Sequence, residues 1–292
     1  MIEKIIVHNG VFHADDVACV SIARMLNPAV EWCRTSDTEG LDVNSDDKII
    51  VADVGFGRFD HHGVVPKIRR DGGKHCGATL LWERFGAEAV KACNPQLDDA
   101  EAESVAKNVL EKVLYTIADG DNGIYSSAFT INCAIAQFNP SWDVSNMDAY
   151  TEARFFAAVS LMDTVLTNTI ESCAAELRAK SSVMEALSHM DNGIVILEKF
   201  TPWKKVLCAN SKALVVVFPS NRGGYSIQMV PVASAGYETR IHTPEEWHGK
   251  QGREAERTMP GMKFCHRNGF IASFNTKENA LAAARFVVAQ KN

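Results

Sequence analysis

The chain has no C-x-x-C pair: its eight cysteines are scattered, and the nearest two, Cys19 and Cys33, stand fourteen positions apart. That excludes a zinc ribbon and argues against a disulfide framework, and it points to reduced, mostly buried thiols. No run of about 18 apolar residues occurs, so no membrane-spanning helix is expected. There is no surplus of positive charge. With 30 basic against 36 acidic residues the formal charge is −6, which argues against a protein that coats long duplex nucleic acid, because such binding is dominated by phosphate neutralisation. A short strand or a nucleotide held by a local basic patch stays open. Neither a G-x-S-x-G elbow nor a Cys-His signature is present to supply a nucleophile. Repeats and low-complexity tracts are missing too. The apolar run Ile5-Ile6-Val7 comes so early that no signal or transit peptide is expected, and the location expected is cytoplasmic.

What is present is an ordinary globular composition, 46% hydrophobic and 23% charged over 292 residues, enough for two domains each with its own core. Two short apolar runs, Ile5-Ile6-Val7 and Ile49-Ile50-Val51-Ala52, read as buried strands. The first runs into His8-Asn9-Gly10-Val11-Phe12-His13-Ala14-Asp15-Asp16, after which Val17, Ala18, Val20, Ile22, Met25 and Leu26 keep helical spacing. The second delivers Asp53 at its end, and Asp60-His61-His62 follows. In open α/β sheets ligands bind beyond the carboxyl ends of the strands, so two strands ending in imidazole and carboxylate point to one crevice.

Imidazole with carboxylate suits Mn²⁺, Fe²⁺, Co²⁺ or Zn²⁺ better than Ca²⁺. Two such ions roughly 3.5–4 Å apart can clamp an in-line displacement at phosphorus if one carboxylate bridges them, and Asp53 is the candidate bridge. Capping and turn roles are the alternative for the constellation as a whole, and support that orients a true ligand is the alternative for single members such as His62 or Asp16. Asp15, Asp16, Asp53, Asp60, Asp119 and Asp121 converging on one crevice would raise each other's pKa values unless cations neutralised them. Metal should therefore stabilise the fold and bind less well as pH falls. An ion that lowers the pKa of water toward about 7 also removes the need for a serine or cysteine nucleophile.

These stretches, with Asp119-Gly120-Asp121-Asn122-Gly123, resemble the four motifs of the DHH phosphoesterase superfamily, and within it the melanocyte-proliferating-gene exonuclease family, whose H-N-G-x-F-H-x-D-[ED] and D-H-H are matched in full and whose V-D-V-G and D-x-x-D-N-G are approximated by Ala52-Asp53-Val54-Gly55 and Asp119-Gly120-Asp121-Asn122-Gly123. Later segments echo it as well: Phe138-Asn139-Pro140-Ser141-Trp142, Pro202-Trp203-Lys204, Ser226 to Pro231, and His266-Arg267-Asn268-Gly269-Phe270-Ile271. The resemblance implies an α/β fold: a DHH-type domain with a mostly parallel sheet over 1–145, a helical connector over 146–192, and a smaller α+β substrate-binding domain over 193–292. It implies two divalent ions, Mn²⁺ preferred, with His8, His13 and Asp53 holding one and Asp15, Asp53, His61 and Asp121 the other. His62, facing the substrate phosphate, forms the catalytic set with Asp53 and Asp60. Most of the superfamily has Asp at the His13 position with one residue less before it, a departure that favours a softer metal than Mg²⁺. Of the two acids ending the helical pattern that starts near Asp98, Asp121 fits the motif better, since a small polar residue follows it. Asp119 is then a supporting or turn residue.

The Gly-rich segment after Asp60-His61-His62 carries Lys67, Arg69, Arg70 and Lys74, either a mobile phosphate-covering lid or a solvated loop. Arg70 and His75 are candidate substrate contacts. A helical pattern from about Asp148 ends at Asp191-Asn192-Gly193, where Asn-Gly marks a break. The strand-like runs Ile194–Leu197, Ala213–Phe218 and Tyr225–Val230 follow, with Gly223-Gly224 as a hairpin signal, and a closing helix spans about Thr276–Gln290. By resemblance this second domain closes over the first, with Arg240 and His266 as further substrate contacts. Trp247 either stacks a base or packs a core.

The expected activity is metal-dependent phosphodiester hydrolysis, a 3′-to-5′ exonuclease on short RNA or oligonucleotides. The alternatives are a nucleotide phosphatase or pyrophosphatase on the same metals, and a metal-binding regulatory protein without turnover. Self-pairing through the central helices into a homodimer is left open.

Overall fold

The computed structural model describes residues 2–124, 126–143 and 147–290. The domain boundary expected between 145 and 146 lies outside the described residues. The chain separates into two compact units, Met1–Ala174 and Ala175–Asn292.

In the first unit β1 (Lys4–Val7), α1 (Ala14–Leu26), β2 (Glu31–Arg34) and β3 (Ile49–Val51) build a wholly parallel sheet of order β2-β1-β3. Ile5 pairs with Trp32 on one side and Ile50 on the other. The centre strand is β-branched and buried, as suits a parallel strand covered on both faces. After it come α2 (Gly77–Cys93) and α3 (Asp99–Val109), a single π-helical segment Leu110–Leu114, α4 (Tyr115–Asp121), α5 (Ile131–Ala136) and α6 (Met147–Ser188). Asp98 caps α3, accepting from the Glu101 amide while Glu101 bonds back, a capping box. Val17, Ala18, Val20, Ile22 and Ala23 are all buried, so α1 is wrapped all round and packs on both β1 and α2. The unit boundary falls inside α6.

The second unit adds β4 (Ile194–Ile196), α7 (Lys204–Ala209), β5 (Val215–Pro219), β6 (Tyr225–Met229), α8 (Gly252–Thr258), β7 (Met262–Cys265), β8 (Ile271–Phe274) and α9 (Lys277–Ala289). Its mixed sheet has the order β4-β5-β6-β8-β7, parallel at β4–β5 and antiparallel elsewhere. Gly223-Gly224 makes the β5–β6 turn with φ of 81° and 75°, and a Cβ on Gly224 would lie 2.1 Å from the Phe274 carbonyl. Only glycine meets both demands. Val215, Val217, Ile227, Met229 and Phe274 pack with Trp247 and the alanines of α9 on one face. Val195, Val216 and Phe218 pack with Trp203 and Leu207 on the other. The architecture as a whole is α/β. No helix of the described residues is long and apolar enough to cross a membrane.

Candidate metal centre

Both parallel strands end at the site. His8 follows β1 directly. Beyond β3 the chain bridges Ala52 to Phe59 and bonds the Asp53 amide to the Phe59 carbonyl at 2.9 Å. Asp53 sits at φ +57°, and Gly55 and Phe56 are also left-handed. An exposed phenylalanine in that region is an outlier. Its amide is held by Asp60 Oδ2 at 2.6 Å, so the carboxylate of Asp60 fixes the loop that presents Asp53.

Asp15 and Asp16 occupy the first turn of α1 and are fully buried. Asp15 accepts from the amides of Gly77 (2.7 Å) and Ala78 (2.6 Å), the first residues of α2, where the positive end of the helix dipole favours a carboxylate. A Cβ at Gly77 would press on Asp15 Oδ2 and on Asp53 at 3.1 Å each, so the approach of α2 requires glycine. Asp16 Oδ1 accepts from the amides of His13 and Val17, which turns Oδ2 toward His8 Nε2 at 3.5 Å.

His8 Nε2 also lies 3.4 Å from Asp53 Oδ2. His61 Nε2 is 3.3 Å from Asp53 Oδ1, 3.0 Å from Asp121 Oδ2 and 3.8 Å from Asp15 Oδ2. His62 Nδ1 is 2.7 Å from Asp60 Oδ1 and 3.6 Å from Asp53 Oδ1. Among the expected ligands His8, Asp15, Asp53, His61 and Asp121 thus converge. His13 is exposed at the edge of the cluster, its ring centroid 5.5 Å from that of His8. Asp119 and Asp121 stand two residues apart on α4, about 200° around the helix, so only one can face the cluster. Asp121 does, and Asp119 pairs with Arg69 at 2.7 Å.

Asp16 Oδ2, Asp53 Oδ1 and His61 Nε2 are buried and make no hydrogen bond of good geometry, although His61 Nε2 lies in ion-pair range of Asp121 and Asp53. Leaving buried polar atoms unmatched is costly, and a cation among them removes the cost. Asp53, His61 and His62 form one set with ligand atoms within 4.8 Å of one another, and Asp15, His61 and Asp121 another. The residues fit divalent metal.

Without metal the charges strain against one another. Burial pushes Asp15 well above the carboxylate range, helped by Asp53 and Asp121, and raises Asp16 to about 7. For His8, burial opposes the imidazolium, but Asp53 and Asp16 outweigh it and hold the pKa at about 9. Asp121, Asp53 and Asp15 do the same for His61, at about 10 against its burial. Asp53 is buried too, yet His61 and His8 keep its carboxyl low.

The basic segment is a hairpin bonded to its surroundings. Ile68 bridges Lys74, and Lys67 Nζ donates to the carbonyls of Gly57, Arg58 and Asp60. Buried Arg69 pairs with Asp71 and Asp119, donates to the Tyr115 carbonyl and stacks on that ring. Arg70 and Lys74 remain exposed, while His75 is buried against Thr79. In the second unit Arg240 donates to the carbonyls of Leu207, Cys208, Asn210 and Ala213, closing the end of α7. His266 starts the β7–β8 turn and accepts from the Asn268 amide at 3.1 Å. Trp247 is buried, stacked on Phe286, so it packs a core.

Two supports escaped the sequence reading. The Asn139 side chain brackets Phe12, accepting from its amide at 3.0 Å and donating to its carbonyl at 2.7 Å. Arg34 donates to the Gly10 carbonyl at 2.7 Å and lies over Phe155. Both fix the loop between His8 and Asp15, and no local pattern announces either.

Residues 4–288 match a protein-family profile, MYG1_exonuc, described as Uncharacterised protein family (UPF0160). The chain is 30% identical to the MYG1 protein of Schizosaccharomyces pombe, covering 97% of this chain and 96% of that one. It is 28% identical to the MYG1 exonuclease of Mus musculus, over 97% of this chain and 84% of that one. The MYG1 exonuclease of Homo sapiens is also 28% identical, over 98% and 85% respectively.

Proposed function

The chain belongs to the MYG1_exonuc family, and from that premise we propose that it is a metal-dependent phosphodiesterase of the DHH type, a hydrolase that shortens RNA or other oligonucleotides from the 3′ end. The observation that carries this reading is the set of orphaned buried atoms, Asp16 Oδ2, Asp53 Oδ1 and His61 Nε2, where two parallel strands end. The names of the mouse and human relatives support the exonuclease class.

In this reading Asp53 would be the carboxylate shared by two cations. His61, Asp15 and Asp121 complete one site; His8 serves the other, with Asp16 and His13 beside it. Divalent cations bound there, Mn²⁺ by preference, would supply Lewis-acid polarisation of the phosphoryl group and activation of water. The side chains do the rest. Asp15, anchored on the α2 amides, fixes one wall of the site, and Asp53 is held in its left-handed turn by the Asp60-bound loop. Asp60 Oδ1 lies 2.7 Å from Nδ1 of half-exposed His62 and orients the ring; with Nδ1–H given to Asp60 the neutral ring presents Nε2 as an acceptor, and only the imidazolium can offer a proton to a phosphoryl or leaving oxygen. Arg70 and His75 border the substrate, and His266 and Arg240 belong to a second domain (193–292) joined through a helical connector (146–192). Arg240 acts by holding α7 in place.

The test is a short RNA labelled at its 5′ end, incubated with the protein and Mn²⁺, with EDTA and Asp53→Asn as controls. A metal-dependent ladder shortening from the 3′ end supports the proposal. The net charge of −6 favours as second reading a phosphatase or pyrophosphatase acting on a nucleotide; intact RNA with hydrolysis of nucleotide or pyrophosphate would move the reading there.

A further inference from the structure

Beside His61 a cavity of about 180 Å³ opens, walled by Val64, Lys67, Lys74, His75 and Asn122. Whole small-molecule sites run to roughly 300–1,000 Å³, so this one takes a chemical group, not a nucleoside. Its charge is the reverse of its surroundings. The neighbouring cluster is built of aspartates, whereas the lining holds two lysines and no carboxylate.

The two lysines differ in use. Lys67 has all three donors committed to backbone carbonyls, at 2.9, 2.8 and 2.7 Å, and contributes only its charge. Lys74 is exposed and makes no ion pair among the described residues. It does not stand on a floppy loop. Its strand of the hairpin is bonded through Ile68, Arg69 to Gly73 and His75 to Lys67, and Arg69 bolts the turn to α4. Gly73 permits that bolt, since a Cβ there would fall 1.9 Å from the Arg69 guanidinium. The far wall is tied in as well: Asn122, next to Asp121, donates to the His75 carbonyl at 3.0 Å. An unpaired cation therefore stands on an ordered stretch of backbone and lines the same cavity as the candidate ligand His61.

We propose that this cavity is a second-phosphate subsite, in which Lys74 holds a phosphate neighbouring the scissile one. The substrate class follows: a strand end or dinucleotide carrying a phosphate next to the bond being cut, in preference to an isolated diester. The inference rests on the phosphodiesterase reading above.

The test uses the full chain loaded with Mn²⁺. A dinucleoside monophosphate is compared with the same compound bearing a 5′- or a 3′-phosphate. Wild type should favour one phosphorylated form by about tenfold or more in kcat/KM, Lys74→Ala should bring the ratio close to one, and Lys74→Arg should keep most of it. Inorganic phosphate, titrated calorimetrically into the loaded protein, should bind about tenfold more weakly to Lys74→Ala, with metal content equal to wild type. Equal rates on all three compounds in wild type, or a preference unchanged by Lys74→Ala, would overturn the subsite. If neither the dinucleotides nor the labelled short RNA is cut, it is the phosphodiesterase reading that fails, and the phosphate titration still decides the cavity: equal binding by wild type and Lys74→Ala overturns it.

Discussion

The two units of the chain bury different chemistry. Among the described residues the buried charged residues, Asp15, Asp16, Asp53, Asp60 and Arg69, all lie in the first unit, while the polar residues buried in the second are Thr201, Ser226, Thr239 and Thr243. The second unit closes its sheet with apolar contacts on both faces. The first holds unmatched polar atoms at the ends of its strands. Gathering aspartates out of water is costly unless they are compensated, so the difference marks the first unit as the one with side chains that could hold a metal.

The largest expected effect comes from the middle of that cluster. Asp53→Asn should abolish hydrolysis and lower metal content, by more than the roughly 10–100-fold that loss of an outer support costs. Circular dichroism should show the fold kept. Activity near wild type would remove Asp53 from the reaction and break the comparison. Trp247→Ala probes the other unit, where loss of a buried indole should cost about 3–5 kcal/mol in denaturant unfolding. Metal content per folded molecule should stay that of wild type; a matching loss of metal would show that the contrast between the units is false.

Asn139→Ala sharpens the boundary between ligand and support. It removes both hydrogen bonds to Phe12 and should weaken metal binding about 10–100-fold, measured by calorimetry, with the melting temperature changed little. Unchanged affinity would make Asn139 a purely structural clamp.

The smallest effect is a pH dependence. In metal-free protein His8 and His61 are raised from 6.5 to about 9 and about 10, so their contribution to stability is complete below 6.5 and lost as pH rises through those values. Asp16, raised to about 7, acts in the same direction between the carboxylate range and neutrality. Asp53, lowered by the histidines, acts in the opposite direction and only in acid. The metal-free melting temperature should therefore fall from pH 6.5 to 10. Added Mn²⁺ must displace those protons, so its stabilisation should grow over the same interval. A flat profile would mean that the histidines do not face the carboxylates.

The site was more legible in the sequence than its supports. His8 and Asp53 announce themselves because each follows a β-branched run, and a parallel strand must deliver its last residue to the sheet's carboxyl edge. Asp121 was separable from Asp119 by its neighbour Asn122, and helix geometry gives the reason for the choice. β2 escaped because Glu31–Arg34 is a half-exposed edge strand without an apolar run, and only its pairing with β1 defines it. β7 and β8 are short and partly polar, so neither stands out as a strand run. Asn139 reaches Phe12 across 127 residues, and no local pattern encodes such a contact. The hairpin at Lys67–Lys74 looked like a loop because its order comes from Arg69 and Lys67 reaching backbone and acids elsewhere, whereas composition shows only glycines and charge.

The central claim is that the aspartate and histidine cluster is a metal centre in which Asp53 is shared. Its most direct test is metal stoichiometry, by calorimetric titration of metal-free wild type and Asp53→Asn with Mn²⁺, checked by elemental analysis. The account predicts about two ions per wild-type chain, with both affinities reduced together in the variant. No specific binding, or binding that Asp53→Asn leaves unchanged, would contradict it.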